Sequence, residues 1–220
     1  MMNEQVYENM KKYSAMLAED GYVECGYIAV KADGGLYITT PDADFKELAE
    51  DKIAFVTDKS VEELEGNFRA AAVLLICALK AKQEDGAAAI VDSKSILEFS
   101  AKKITLPPIL EDSAQINGVS VRATKQNTAA EVVNAISGAR NACFLPEAGA
   151  VVTGRTLAEV YTCTLVLDKA CNGYLLAEKK GGAQHLNAFE AWLEHMVYKL
   201  KYSKKNQSSQ KAAEEGKEVD

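Results

Sequence analysis

The spacing of apolar positions predicts helices along much of the chain. The first predicted helix spans 4–19, carries one apolar face and ends near Gly21, a residue that readily adopts a left-handed backbone. Further helices are predicted at 67–82, 128–136, 157–179 and 186–202, with a single helical turn at 45–48. Residues 95–101 are predicted to form a short helix or an irregular segment. Thr156 and Glu159 have the spacing of a capping box, which predicts that a long helix begins there.

Short apolar runs between these helices predict strands. They cover 24–31, 35–39, 52–57, 87–91, 119–121, 142–145 and 149–153, and Asp33-Gly34 is a hairpin turn sequence between the first two. The pattern predicts one α/β domain over 1–202 with a mostly antiparallel sheet flanked by helices. Residues 203–220 carry few apolar groups, so we expect a disordered charged tail there.

Composition narrows the class of protein. Hydrophobic residues make up 48% and charged residues 26% of the 220, which is typical of a soluble domain. The net charge of -7 argues against nucleic acid and membrane as partners, and no apolar run reaches the roughly 20 residues of a membrane helix. Five scattered cysteines without a CxxC pair predict reduced thiols in a cytoplasmic protein.

Several stretches resemble segments of the class II aldolase/adducin family. They are 26–31 with 33–39, 87–91, and 142–145 with 149–157, and the resemblance extends over about residues 4–200. It implies a single three-layer α/β domain and a homo-oligomer, possibly a tetramer. In that family a zinc ion acts as a Lewis acid during cleavage of a sugar phosphate.

The zinc histidines of the family are missing at the matching positions. The resemblance places the first two on Asp92 and Lys94, with Ser93 between them, and the third on Ala148. An acid, an amine and a methyl group cannot replace three imidazoles around zinc. We therefore expect no metal and no other cofactor.

The remaining functional positions of the family also carry other residue types. The resemblance places the phosphate-binding and acid/base positions on Tyr27, Ala29, Thr40, Asp42, Ala71, Ala72 and Val73. Asp42 stands where the family has a glycine in a phosphate loop, and its charge would repel a phosphate. Together with Ser93 and Ala148, these positions form what we call the vestigial pocket.

A rebuilt site is the alternative. Asp92, Lys94 and Glu147 are its candidate residues, since a lysine that loses its proton can form a Schiff base with a carbonyl compound. A structural ion pair in a vacated cavity explains the same residues. The two histidines, His185 and His195, lie ten residues apart and are expected to be solvated or capping groups.

Two functions therefore remain open. The first is a catalytically inactive assembly or binding module. The alternative is an aldehyde-lyase-like enzyme or small-molecule binder for a sugar phosphate or carbonyl compound. A zinc aldolase with differently placed ligands is a third hypothesis.

Overall fold

The computed structural model describes residues 2–23 and 26–214, with side chains to Lys201. Glu24 and Cys25, at the start of the predicted strand 24–31, lie outside the described residues, as do 215–220 of the predicted tail.

A seven-stranded, mostly antiparallel sheet forms the centre of the molecule. Its strands are β1 (Tyr27–Ala32), β2 (Gly35–Thr39), β3 (Ile53–Val56), β4 (Ala87–Val91), β5 (Arg122–Ala123), β6 (Ala142–Leu145) and β7 (Gly149–Gly154). Their spatial order is β3-β2-β1-β4-β7-β6-β5, and among the described strands the β5–β6 pair alone is parallel. The predicted hairpin around Gly34 is confirmed, with Gly34 at a φ of 78°.

Helices cover both faces of this sheet. They are α1 (Glu4–Glu19), α2 (Gly66–Ala81), α3 (Lys94–Ser100), α4 (Glu111–Ile116), α5 (Ala129–Ile136), α6 (Leu157–Glu178) and α7 (Ala188–Glu214). α1, α3 and α6 share one apolar core with the sheet, built around Met10, Phe99, Phe144 and Leu167. α2 and α5 share the second core on the other face, around Leu75, Ile90 and Val132. The three-layer α/β architecture expected from the sequence is confirmed.

Some boundaries differ from the prediction. Residues 45–48 form a non-helical turn, not the predicted helical turn. Phe45 and Leu48 are apolar because they pack into the core, so their spacing does not reflect a helix. A 3-10 turn follows at Glu50–Lys52. α4 was not predicted, because its six residues are too few to show a helical period. The strand expected at 119–121 lies at Arg122–Ala123, and Val121 forms only an isolated bridge with Leu106.

The last helix is longer than predicted. Asn187 begins it by accepting hydrogen bonds from the backbone N–H groups of Phe189 and Glu190, and the helical backbone continues past Tyr202 to Glu214. Lys, Gln, Ala and Glu, which dominate 203–214, favour helix and so extend it without an apolar face. The boundary between a folded domain at 1–202 and a disordered tail stays a prediction.

Two further expectations concern membranes and thiols. Along the described part of the chain, no helix is long and apolar enough to cross a membrane. Cys143, Cys163 and Cys171 are buried free thiols, as predicted, whereas Cys77 is a free thiol that is only half-buried. Cys25 lies outside the described residues. Burial raises the pKa of Cys143 to about 12, so this thiol is unreactive at neutral pH.

Candidate functional site

Three strand ends meet at one edge of the sheet, where the resemblance places the zinc site. β1 begins there with Tyr27 opposite Ile90, and β4 ends there with Val91 opposite Ala150 of β7. The backbones approach closely at this edge. A Cβ atom on Gly26 would lie 1.9 Å from the Ile90 carbonyl oxygen, and one on Gly149 would lie 2.1 Å from the Val91 carbonyl oxygen. Glycine is therefore required at both positions.

The segment after β4 has a structural role. Asp92 is half-buried, and its backbone N–H donates to the Tyr22 carbonyl. The Ser93 hydroxyl caps α3 by accepting a hydrogen bond from the backbone N–H of Ile96. Lys94 is the first residue of α3 and is exposed to solvent.

The segment before β7 turns toward a different lysine. Ala148 is exposed, and Glu147 occupies the left-handed region with a φ of 61°. The Glu147 carboxylate lies 2.8 Å from the Lys103 ammonium, which lowers the pKa of Glu147 by a hydrogen bond and by charge attraction. Glu147 therefore forms its ion pair with Lys103 and not with Lys94.

A cavity of about 380 Å³ opens on the α2 side of this edge. It is lined by Gly26, Tyr27, Thr40, Pro41, Ala43, Phe45, Glu65, Asn67 and Phe68. The rings of Tyr27 and Phe68 stack with centroids 6.0 Å apart, so an aromatic pair stands along one wall. Two residues of the vestigial pocket, Tyr27 and Thr40, therefore line a real cavity.

Asp42 lies in the chain between Pro41 and Ala43, two residues that line the cavity, and its negative charge is paired. Asp42 accepts hydrogen bonds from the Lys52 ammonium at 2.5 Å and from the Thr40 hydroxyl at 2.6 Å. These hydrogen bonds, with that of Lys52 the largest contribution, lower the pKa of Asp42 to about 2. The carboxylate stays ionised at any physiological pH, and it is paired with the Lys52 ammonium.

Four residues of the vestigial pocket lie elsewhere. Ala71 and Ala72 are buried in the second core, and Val73 packs against it, one to two turns inside α2. Ala29 is fully buried on β1. The helix begins at Gly66, so the residues at its start that face the cavity are Glu65, Asn67 and Phe68.

The comparisons with known proteins agree with this geometry. Residues 8–175 match the family model described as class II aldolase and adducin N-terminal domain. The chain belongs to the class II aldolase and adducin family. A search of curated protein sequences finds no match for this family member.

Solved structures support the same fold for this class II aldolase-family chain. An L-fuculose 1-phosphate aldolase superposes with a TM-score of 0.75 at 21% identity, covering 90% of this chain and 98% of that one. The L-fuculose-1-phosphate aldolase of Thermus thermophilus gives 0.65 at 20% identity, with coverages of 84% and 100%. An aldolase II superfamily protein from Pseudomonas syringae gives 0.67 at 16% identity, with coverages of 90% and 86%.

The donor set at the sheet edge does not fit the zinc ion that the family implies. Of the three matching residues, Asp92 offers carboxylate oxygens, Lys94 an ammonium group and Ala148 no donor. A catalytic zinc needs about three protein ligands with lone pairs. Within the residues that the structure describes, no group of three or more His, Cys, Asp or Glu side chains is placed to hold a metal ion.

A polar groove on the opposite face of the sheet was missed by the sequence analysis. Its volume is about 400 Å³, and its polar lining includes Tyr22, Ser93, Lys94, Ser95, Asp168 and Lys179. The Ser93 hydroxyl donates to an Asp168 carboxylate oxygen at 2.5 Å, and the Ser95 hydroxyl donates to the same oxygen. The groove brings Ser93 and Lys94 together but contains neither Asp92 nor Glu147.

Only a weak signal in the sequence pointed to this groove. Asp168 follows the apolar residues Val166 and Leu167 inside α6, where an acid calls for a polar partner. Its partner residues Ser93 and Ser95 lie 75 and 73 positions earlier in the sequence. Such a distant pairing cannot be recognised from the local pattern.

Proposed function

We propose that this chain does not catalyse zinc-dependent aldol cleavage and serves as an assembly or binding module. The observation that carries the proposal is the sheet edge where β1, β4 and β7 meet. Its strand pairing is complete, while Asp92, Lys94 and Ala148 stand where three zinc ligands are expected. The backbone framework is present, but of these three side chains Asp92 alone offers atoms that could bind a metal.

The surroundings of that edge support the same proposal. Glu147 forms an ion pair with Lys103, and Asp42 carries a negative charge between the cavity-lining residues Pro41 and Ala43. A phosphate dianion beside an ionised carboxylate is repelled unless a cation intervenes, and Lys52 is already paired with that carboxylate. A sugar phosphate therefore has neither a Lewis acid nor a phosphate cradle here.

The proposal includes a cytoplasmic homo-oligomer, up to a tetramer, without a metal cofactor. Family resemblance and the cysteine content support these parts. The binding partner of such a module would use the outer surfaces, since fold alone does not assign a function.

The test combines metal analysis with an activity assay. Purified protein, expressed with zinc in the medium, should contain far less than one zinc per chain and should not cleave L-fuculose 1-phosphate. The Asp92→Ala variant should show the same zinc content as the parent chain. Stoichiometric zinc that is lost in Asp92→Ala, together with aldol cleavage, would overturn the proposal.

One observation favours a second function, binding or turnover of a small carbonyl compound. Lys94 lines the polar groove beside Ser93 and Ser95, so a carbonyl compound in the groove would meet an amine. Schiff-base formation joins the Lys94 nitrogen to the carbonyl carbon and releases water. The exposure of Lys94 speaks against it, because a lysine that forms a Schiff base usually lies in a desolvated pocket.

Borohydride trapping distinguishes the two functions. Borohydride would reduce an imine at Lys94 to a stable amine, which mass spectrometry locates on the peptide. Lys94→Arg should abolish that adduct, whereas Lys103→Arg, at the lysine paired with Glu147, should not. No adduct with small aldehydes and ketones leaves the assembly or binding module as the function.

A further inference from the structure

The outer face of α7 exposes an apolar stripe. Its large side chains are 45% to 68% exposed: Phe189, Trp192, Leu193, Val197 and Leu200. Phe189, Leu193 and Leu200, with half-buried Met196 between them, are separated by three or four residues, so they share one side of the helix. The Phe189 and Trp192 rings stack with centroids 6.1 Å apart. A contiguous apolar patch of this kind usually marks an interaction site.

The opposite side of α7 already has its partner within the chain. Ala191 and His195 are fully buried there. His195 bonds through Nδ1 to the Gln115 carbonyl of α4 at 2.9 Å, and Gln115 Nε2 donates to the Glu194 carboxylate at 2.8 Å. α7 is therefore fixed with its apolar stripe pointing away from its own domain.

Charges beside the stripe specify the direction of a partner helix. Glu190 lies at one end and Lys201 at the other, and both are exposed. Their separation of 11 residues (201 minus 190) is close to three helical turns of about 3.6 residues, so they lie on the same flank. The Glu190 carboxylate accepts a hydrogen bond from the Asn187 backbone N–H at 3.3 Å. This bond is exposed, so the carboxylate remains at the surface.

We propose that α7 is a self-association surface, on which the α7 helix of a second copy of this chain packs in antiparallel orientation. A two-fold axis near the middle of the stripe puts Phe189 against Leu200 of the partner subunit. The same axis puts Glu190 against Lys201 of the partner subunit, twice in each pair. A parallel partner would leave the acidic and basic ends apart, so the charges select the antiparallel arrangement.

The stripe supplies the affinity and the charges supply the direction. Both helices contribute the same patch, as in any two-fold interface, so one apolar stripe is complementary to itself. Exposed ion pairs contribute little free energy, which makes them specificity elements here. This inference rests on the assembly role and homo-oligomer of the proposed function, to which it assigns a surface, and it holds whether or not the chain is catalytic.

The first experiment measures the mass of the full-length chain in solution by size exclusion with light scattering. The wild-type chain should show an even number of copies. Leu193→Asp should halve that number, because it places a carboxylate in the middle of the stripe. Leu176→Asp is the matched control, since Leu176 is 52% exposed on α6, and it should keep the wild-type mass. A wild-type mass of one chain, or equal loss in both variants, overturns the inference.

The second experiment tests the orientation without touching the apolar stripe. Glu190→Lys and Lys201→Glu should each weaken self-association several-fold, because each places like charges opposite one another. The double variant restores both pairs with reversed signs and should recover the wild-type dissociation constant. Failure of the double variant to recover it rules out the antiparallel arrangement. Far-UV circular dichroism confirms that every variant retains its helix content.

Discussion

At the edge where β1, β4 and β7 meet, the residues that the fold requires differ from the residues that zinc binding would require. Gly26 and Gly149 are required there by the approach of the β4 backbone, while Asp92, Lys94 and Ala148 are the residues that the resemblance places at the ligand positions. The glycines allow the strands to approach because they have no Cβ atom, whereas metal ligands would need a lone pair to bind zinc. The two requirements are independent, so a chain can keep one and lose the other.

Gly149→Ala should therefore destabilise the fold. Its φ of 97° is unfavourable for alanine, and the added methyl would lie 2.1 Å from the Val91 carbonyl oxygen. We expect a loss of roughly 2 to 4 kcal/mol in the free energy of unfolding, measured with urea. Gly173→Ala is the control. Gly173 lies inside α6, where an added Cβ atom would lie 3.4 Å from Cδ1 of Ile109, an ordinary contact distance. Alanine also favours a helix interior. Equal losses in both variants would contradict this account.

His195 meets one half of the sequence-based expectation. It was expected to be a solvated or capping group; it is not solvated but fully buried, and it bonds the Gln115 carbonyl in the last turn of α4. Since a carbonyl only accepts, Nδ1 donates to the Gln115 carbonyl, and Nε2 has no hydrogen-bond partner among the described residues. Burial, helped by the nearby Lys199 and Lys82, lowers the pKa of His195 to about 4. Helical spacing located this residue on α7 but could not show which side was covered.

Acid should consequently weaken the fold through His195. The unfolded chain protonates this imidazole near pH 6.5, whereas the folded chain does so near pH 4. Between these values the unfolded state binds an extra proton, so stability falls as the pH is lowered through this window. We expect a loss of roughly 1 to 3 kcal/mol from pH 7.5 to pH 4.5 that His195→Gln removes. His185→Gln, at an exposed histidine, should keep the full pH dependence; if it does not, another group is responsible.

Among the elements, those with a strong local signal were the ones predicted correctly. α1, α2, β4 and α6 have clear periodicity, a long apolar run or a cap sequence, and their observed bounds lie within about two residues of the prediction. α4 and β5 have six and two residues, and they exist because tertiary contacts hold them. The pairing of Ser93 and Ser95 with Asp168 likewise depends on the fold, which is why the polar groove was not foreseen.

The cap of α6 gives a prediction at this scale. The Thr156 hydroxyl accepts a hydrogen bond from the Glu159 backbone N–H, and the Glu159 carboxylate in turn accepts one from the Arg155 backbone N–H. Thr156→Ala should lower the free energy of unfolding by about 1 kcal/mol. Thr162→Ala, inside the same helix, removes a hydroxyl that bonds only to the Ala158 carbonyl, and we expect little change. Comparable losses in the two variants would show that the cap is not the cause.

For the whole molecule, resemblance was more informative about the fold than about the location of each site residue. It predicted one three-layer domain, and both the family match and the paired cores confirm it. It placed Ala71 and Ala72 in a pocket, whereas the structure buries them in the second core. Three alanines in succession carry no feature that fixes their alignment, so only the observed start of α2 could place them.

Trp192 makes the assembly of the whole molecule measurable. It is the single tryptophan of the chain and is 45% exposed on the apolar stripe of α7. When a second α7 covers the stripe, the indole loses water, so its emission should move to shorter wavelength as protein concentration rises. Dilution should reverse the shift, with a midpoint equal to the dissociation constant measured by light scattering. The emission of Leu193→Asp should not depend on concentration. A constant emission from the wild-type chain, across a range in which its mass changes, would mean that the copies meet through a surface other than α7.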